Sequence, residues 1–122
     1  MKRLNFERIL LTITIIFIAV VIFTAIDYLV HGLSPEYSVP DYYFKNKIIF
    51  ATIIGSIVYF FIKKRVFWQK SLIVSLVTAV LLQIKYYLQG YPKEFVFEFM
   101  LFHFLMFLAS SMLMFYLFRK RI

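Results

Sequence analysis

Apolar positions along the chain fall into four long runs separated by short polar segments. From Ile9 to Ile26 no charged residue intervenes, and the apolar character continues past Asp27 to Val30. A helix needs about 20 such residues to cross a hydrocarbon core of about 30 Å, so 9–30 predicts a first membrane span. Lys2, Arg3 and Arg8 precede it as in a secretory leader. The run is longer than a leader's apolar core and no small-x-small cleavage site follows, so the span is expected to be retained. The second run, Ile48 to Ile62, is short. It crosses the core if Phe44 is included and Lys45 and Lys47 extend their amines to the headgroups, which predicts a span over 44–62. The third span is 71–88, carrying Gln83 and Lys85 near its end, and the fourth is 95–118, carrying Glu98 and His103. Alternating strands of about ten residues do not recur, which disfavours a barrel.

The loops between these runs are short. The 63–70 connection predicts one hairpin, and the 89–94 turn, with Gly90 and Pro92, predicts a second. The longest connection is the segment 31–43, where Gly32 can end a helix and Pro35 and Pro40 bias Ser34 and Val39 toward extended backbone. It is expected to form a defined cap on one end of the bundle. The fold class that follows is an all-α integral membrane protein, with residues 1–122 as one domain and four transmembrane helices in an up-down-up-down bundle.

Composition agrees: 63% of residues are hydrophobic and 16% charged, against roughly 45–50% apolar in soluble domains. The net charge of +8 matters through its distribution. Lys2, Arg3, Arg8, Lys63, Lys64, Arg65, Lys70, Arg119, Lys120 and Arg121 fall on one side of the spans, whereas Lys45, Lys47, Lys85 and Lys93 fall on the other. That asymmetry predicts both termini on the inner side, N-in and C-in, and argues against insertion in both orientations. Tyr28, Tyr37, Tyr42, Tyr43, Tyr86, Tyr87 and Tyr91 gather at the outer boundary and Trp68 at the inner one, as amphipathic rings do. The basic residues are thus expected to serve topology and anionic lipid, with no nucleic-acid partner. The plasma membrane is the expected location.

Helices in lipid associate through close packing at small residues. Ala51 with Gly55, Thr52 with Ser56, Ser71 with Ser75, and Ser75 with Ala79 are i, i+4 pairs suited to contact inside the bundle or between protomers. A homo-oligomer or a partner membrane protein is therefore expected. The many phenylalanines of the fourth span are expected to fill gaps and face lipid.

Ionisable groups within spans are costly, and each is a functional candidate. Asp27 and His31 share a helix face. His103 lies deeper, and its depth argues against its meeting His31. Lys85 and Glu98, at similar depth across a hairpin, are expected to pair. Asp27, His31, Gln83, Lys85, Glu98 and His103 form the candidate ligand-binding set. Asp27, His31 and His103 are the metal candidates, a nitrogen and oxygen set that suits zinc or a similar ion. The chain has no cysteine, and neither an HExxH metal motif, a GxSxG elbow nor a glycine-rich phosphate loop occurs. The functional expectation is a non-catalytic bundle that binds or passes a small ligand, ion or lipid, or serves as a subunit of a membrane complex. The alternative is metal- or proton-dependent chemistry or transport using Asp27, His31 and His103.

Overall fold

A computed structural model describes residues 6–62 and 65–122. The expectations placed on Lys2, Arg3, Lys63 and Lys64 lie outside the described residues. The chain is all-helical, with α1 over Phe6–His31, α2 over Tyr42–Phe61, α3 over Phe67–Leu88 and α4 over Lys93–Leu117. All four are long and apolar enough to cross a membrane. The second takes in residues before its short apolar run, close to the expected 44–62. It begins at Tyr42 and has 20 residues, about 30 Å at 1.5 Å per residue.

The helix ends follow from local chemistry. α1 stops where the Gly32 amide bonds back to the Tyr28 and Leu29 carbonyls. The connection to α2 contains one 3₁₀ turn, Pro35–Tyr37, opened by Ser34, whose hydroxyl accepts from the Glu36 amide at 3.3 Å. Between α3 and α4 the chain reverses through Gly90, whose φ of 94° favours glycine.

Each helix packs mainly against two others: α1 against α2 and α4, and α3 against α2 and α4. Gly55 marks the point where all four approach. A Cβ there would lie 3.3 Å from Ile16 Cγ2 of α1, 3.6 Å from Val74 Cγ1 of α3 and 3.7 Å from Phe107 Cζ of α4. The other small residues also face inward, since Ala51, Ser56, Ser71, Ser75 and Ala79 are buried. At the far end Arg8 donates to the Ile122 carbonyl at 3.1 Å, tying the start of α1 to the segment after α4.

The distribution of polarity is that of a bundle in lipid. Large apolar side chains such as Phe17, Ile53, Ile57, Leu76, Leu101 and Leu113 face outward, while Thr12, Asp27, Lys47, Ser71, Gln83, His103 and Ser111 are enclosed. Half the phenylalanines of the fourth span fill the interior. Phe95, Phe99, Phe107 and Phe115 are buried along the same face as His103, recurring at helical spacing.

Candidate functional site

The interior holds a charged cluster built by all four helices. Asp27, on α1, is fully buried, and its carboxylate accepts from the Lys47 ammonium of α2. One turn further along α1, His31 Nε2 lies 3.2 Å from Asp27 Oδ2. His103 of α4 brings its Nε2 to 3.3 Å from Asp27 Oδ1 and 2.8 Å from Lys47 Nζ. The Tyr43 hydroxyl stands 3.4 Å from the same nitrogen. The three potential metal ligands, Asp27, His31 and His103, lie within 4.8 Å of one another.

Hydrogen bonds outside the cluster fix the protons on both imidazoles. His31 Nδ1 is 2.6 Å from the Tyr37 carbonyl, which can only accept, so Nδ1 carries a proton. Gln83 of α3 donates through Nε2 to the Val96 carbonyl at 2.6 Å, which orients its amide. Its Oε1 therefore faces His103 Nδ1, 2.6 Å away, and accepts from it. With Nδ1 of each ring engaged in this way, each Nε2 is left facing Asp27. The Lys47 ammonium engages Asp27 Oδ2 and His103 Nε2, while His31 Nε2 and Asp27 Oδ1 have no hydrogen-bond partner. With neutral rings the charges of Asp27 and Lys47 cancel, the condition under which such groups are tolerated away from water.

Aromatic rings close the cluster. His31 stacks on Phe99 with centroids 4.3 Å apart, and Phe23 meets the His103 ring edge-on at 5.5 Å. Lys47 Nζ lies 4.5 Å from the Tyr43 ring centre, adding a cation–π contact. A surface cleft of about 210 Å³ borders the cluster at His31, with Asp41, Tyr28 and Phe44 among its other walls.

No protein-family model, characterised protein or solved structure matches the chain. The site is therefore read from its own geometry.

Of the six candidate residues, Asp27, His31, Gln83 and His103 come together. Lys85 and Glu98 do not join them, nor do they pair with each other. Lys85 reaches Gln89 Oε1 at 3.4 Å and lies over the Phe50 ring of α2, whereas Glu98 accepts from the Tyr37 hydroxyl at 2.8 Å. Equal depth across a hairpin does not suffice, because the two side chains leave their helices toward different neighbours. The Tyr37–Glu98 bond also pushes the Tyr37 phenol above its ordinary pKa, since ionising it would place a second negative charge beside the carboxylate.

The convergence of His31 and His103 corrects the expectation from depth. Helical side chains lean toward the N-terminus of their own helix. The start of α4 lies beside the end of α1, as the contacts of His31 with Phe95 and Phe99 show. The two imidazoles therefore lean toward each other, and Asp27 spans the remaining gap.

Lys47 is the residue that sequence reasoning misplaced. It was expected to extend its amine toward the headgroups, yet it is fully buried, while Lys45 is exposed. A carboxylate and an imidazole lone pair inside the bundle bind the ammonium more specifically than the interface does. A signal was present: stepping back by fours from Gly55 through Ala51 gives Lys47 and then Tyr43, all buried on one face of α2.

Proposed function

We propose that this chain is a small integral membrane protein whose bundle binds a small cation at the Asp27, His31 and His103 cluster. The observation that carries the reading is the gathering of two imidazole Nε2 atoms around one buried carboxylate, with ligand atoms within 4.8 Å of one another. Such a nest attracts positive charge and repels anions, and here an internal ammonium rests in it. Gln83 and the Tyr37 carbonyl act as positioning groups, holding the rings with Nε2 inward.

The accompanying topology is up-down-up-down, N-in and C-in, in a plasma membrane, with the cluster in the outer half. The closed ring of helix neighbours supports the topology. Arg65, Lys70, Arg119 and Lys120 border one cleft at the opposite end from the cluster, in keeping with an inner face that meets anionic headgroups. A homo-oligomer or membrane partner would use the lipid-facing surface, since the small-residue faces are largely enclosed within the bundle.

Two measurements test this reading. The chain lacks cysteine, so single cysteines report sidedness directly. Ser38→Cys should react with a membrane-impermeant thiol reagent applied to intact cells, and Gln69→Cys only after permeabilisation; the reverse pattern would invert the topology. Native mass spectrometry of protein released from lipid nanodiscs should then show a cationic adduct in the wild type that is lost from Asp27→Asn and His103→Leu. A bare protein across a panel of added cations would favour an accessory role instead.

A further inference from the structure

We infer that the cluster is a binding site for a divalent first-row transition ion of the zinc type, with Asp27, His31 Nε2 and His103 Nε2 as ligands and Lys47 as the cation that an arriving metal displaces. The inference rests on the cation-binding reading above and names the class of cation.

Three observations carry it. The first is the count of acceptors. The Lys47 ammonium serves Asp27 Oδ2 and His103 Nε2, but Asp27 Oδ1 and His31 Nε2 receive no hydrogen bond although both are buried. Buried polar atoms are rarely left in this state, and an orphaned pair invites an ion. A metal at the centre engages the atoms that the ammonium leaves over.

The second is spacing. Ligands placed tetrahedrally about 2.0–2.2 Å from zinc lie about 3.3–3.6 Å from one another. Asp27 Oδ2 is 3.2 Å from His31 Nε2, and Asp27 Oδ1 is 3.3 Å from His103 Nε2. Each of these two separations is close to an edge of such a polyhedron, and the three ligand atoms lie within 4.8 Å of one another. The Tyr43 hydroxyl, 3.4 Å from His103 Nε2, borders a further position.

The third is the arrangement behind the ligands. Metal-binding histidines characteristically donate their other ring N–H to a carbonyl or similar acceptor, which fixes the tautomer and raises the basicity of the ligating nitrogen. Both imidazoles do so here, His31 to the Tyr37 carbonyl and His103 to the Gln83 amide oxygen. An ammonium alone does not need two rings held in this manner. The donor set, two imidazoles and one carboxylate, suits zinc and its neighbours better than calcium or magnesium, which prefer all-oxygen sites. Asp41 on the cleft beside His31 supplies a carboxylate at the entrance. Lys47 carries its charge on a flexible stem, so an arriving metal competes with it for Asp27 Oδ2 and His103 Nε2.

The test uses the full chain without an affinity tag, in nanodiscs, titrated with Zn2+ and, for spectroscopy, with Co2+. One ion per chain is expected, with a visible cobalt spectrum of a low-coordinate nitrogen and oxygen site. Gln83→Leu should weaken binding by about 10–100-fold without removing a ligand, and His103→Gln should abolish it. Lys47→Met, which lacks the internal competitor, should bind more tightly and recover thermal stability when Zn2+ is added. The inference is overturned if wild-type protein binds Zn2+ no better than His103→Gln, or if binding is indifferent to both His103→Gln and Gln83→Leu. It is equally overturned if only Lys47→Met binds, because the lysine is then the permanent occupant. Retention of a monovalent or organic cation by the wild type but not by Asp27→Asn, without Zn2+ binding, would remove the divalent assignment and leave the cation reading standing. Retention of neither would remove both.

Discussion

Replacing Lys47 with methionine should lower the stability of the metal-free protein by about 3–5 kcal/mol, the cost of leaving a buried charge without its partner. Methionine matches the length of the lysine stem and adds no polar group, so packing against Tyr43 and Phe23 is largely kept. What changes is the environment of Asp27, which is fully buried and would face only imidazoles. Asp27→Asn combined with Lys47→Met should be far milder than the sum of the single changes, because the double variant removes both charges together. Reversible unfolding in a bilayer or mixed micelles, read across the four-variant cycle, measures the coupling. A Lys47→Met protein within about 1 kcal/mol of wild type would show that the pair does not hold the bundle together.

The second large effect is expected at Gly55. Gly55→Leu should destabilise by about 3 kcal/mol or more, since extra methylenes forced into a packed interior displace their neighbours. Those neighbours are Ile16, Val74 and Phe107, one from each of the other helices, so no single rotamer change makes room. Gly55→Ala is the control. Its Cβ would approach the Ile16 Cγ2 methyl at 3.3 Å, a tight contact that requires the methyl to give by a few tenths of an ångström, set against about 1 kcal/mol of improved helix propensity. Near-neutral alanine with disruptive leucine, measured by the same unfolding experiment, marks a site limited by space. Equal effects of the two would point to backbone flexibility instead.

The spans were legible because hydrophobic length is a property of consecutive residues, and lipid imposes it on each helix separately. Even so, α2 extends to Tyr42, beyond the apolar run that announces it. The candidate site was legible in part for the same reason: Asp27, His31 and His103 stand out as polar residues within apolar runs. Gln83 was legible as a candidate ligand-binding residue, but its task as the acceptor that orients His103 depends on a carbonyl of the next helix, Val96. Lys47 was ambiguous in principle, since a lysine one or two turns inside a span can reach either the headgroups or the interior. Which way it turns is decided by Asp27 on α1 and His103 on α4, residues distant in sequence. Glu98 and Lys85 misled for the converse reason, because depth was readable and the direction in which each leaves its helix was not.

The division of the cluster among the helices bears on how the chain is made. Asp27 and His31 come from α1, Lys47 from α2, Gln83 from α3 and His103 from α4. The fourth helix in chain order therefore supplies the residue that joins Gln83 to Lys47 and Asp27. Until it arrives, a nascent chain of three helices exposes Asp27, Lys47 and Gln83 on its open side, where lipid offers them nothing. Polar surface of that kind distinguishes an unfinished molecule from a finished one. Docking of α4 and burial of these polar groups are therefore one event.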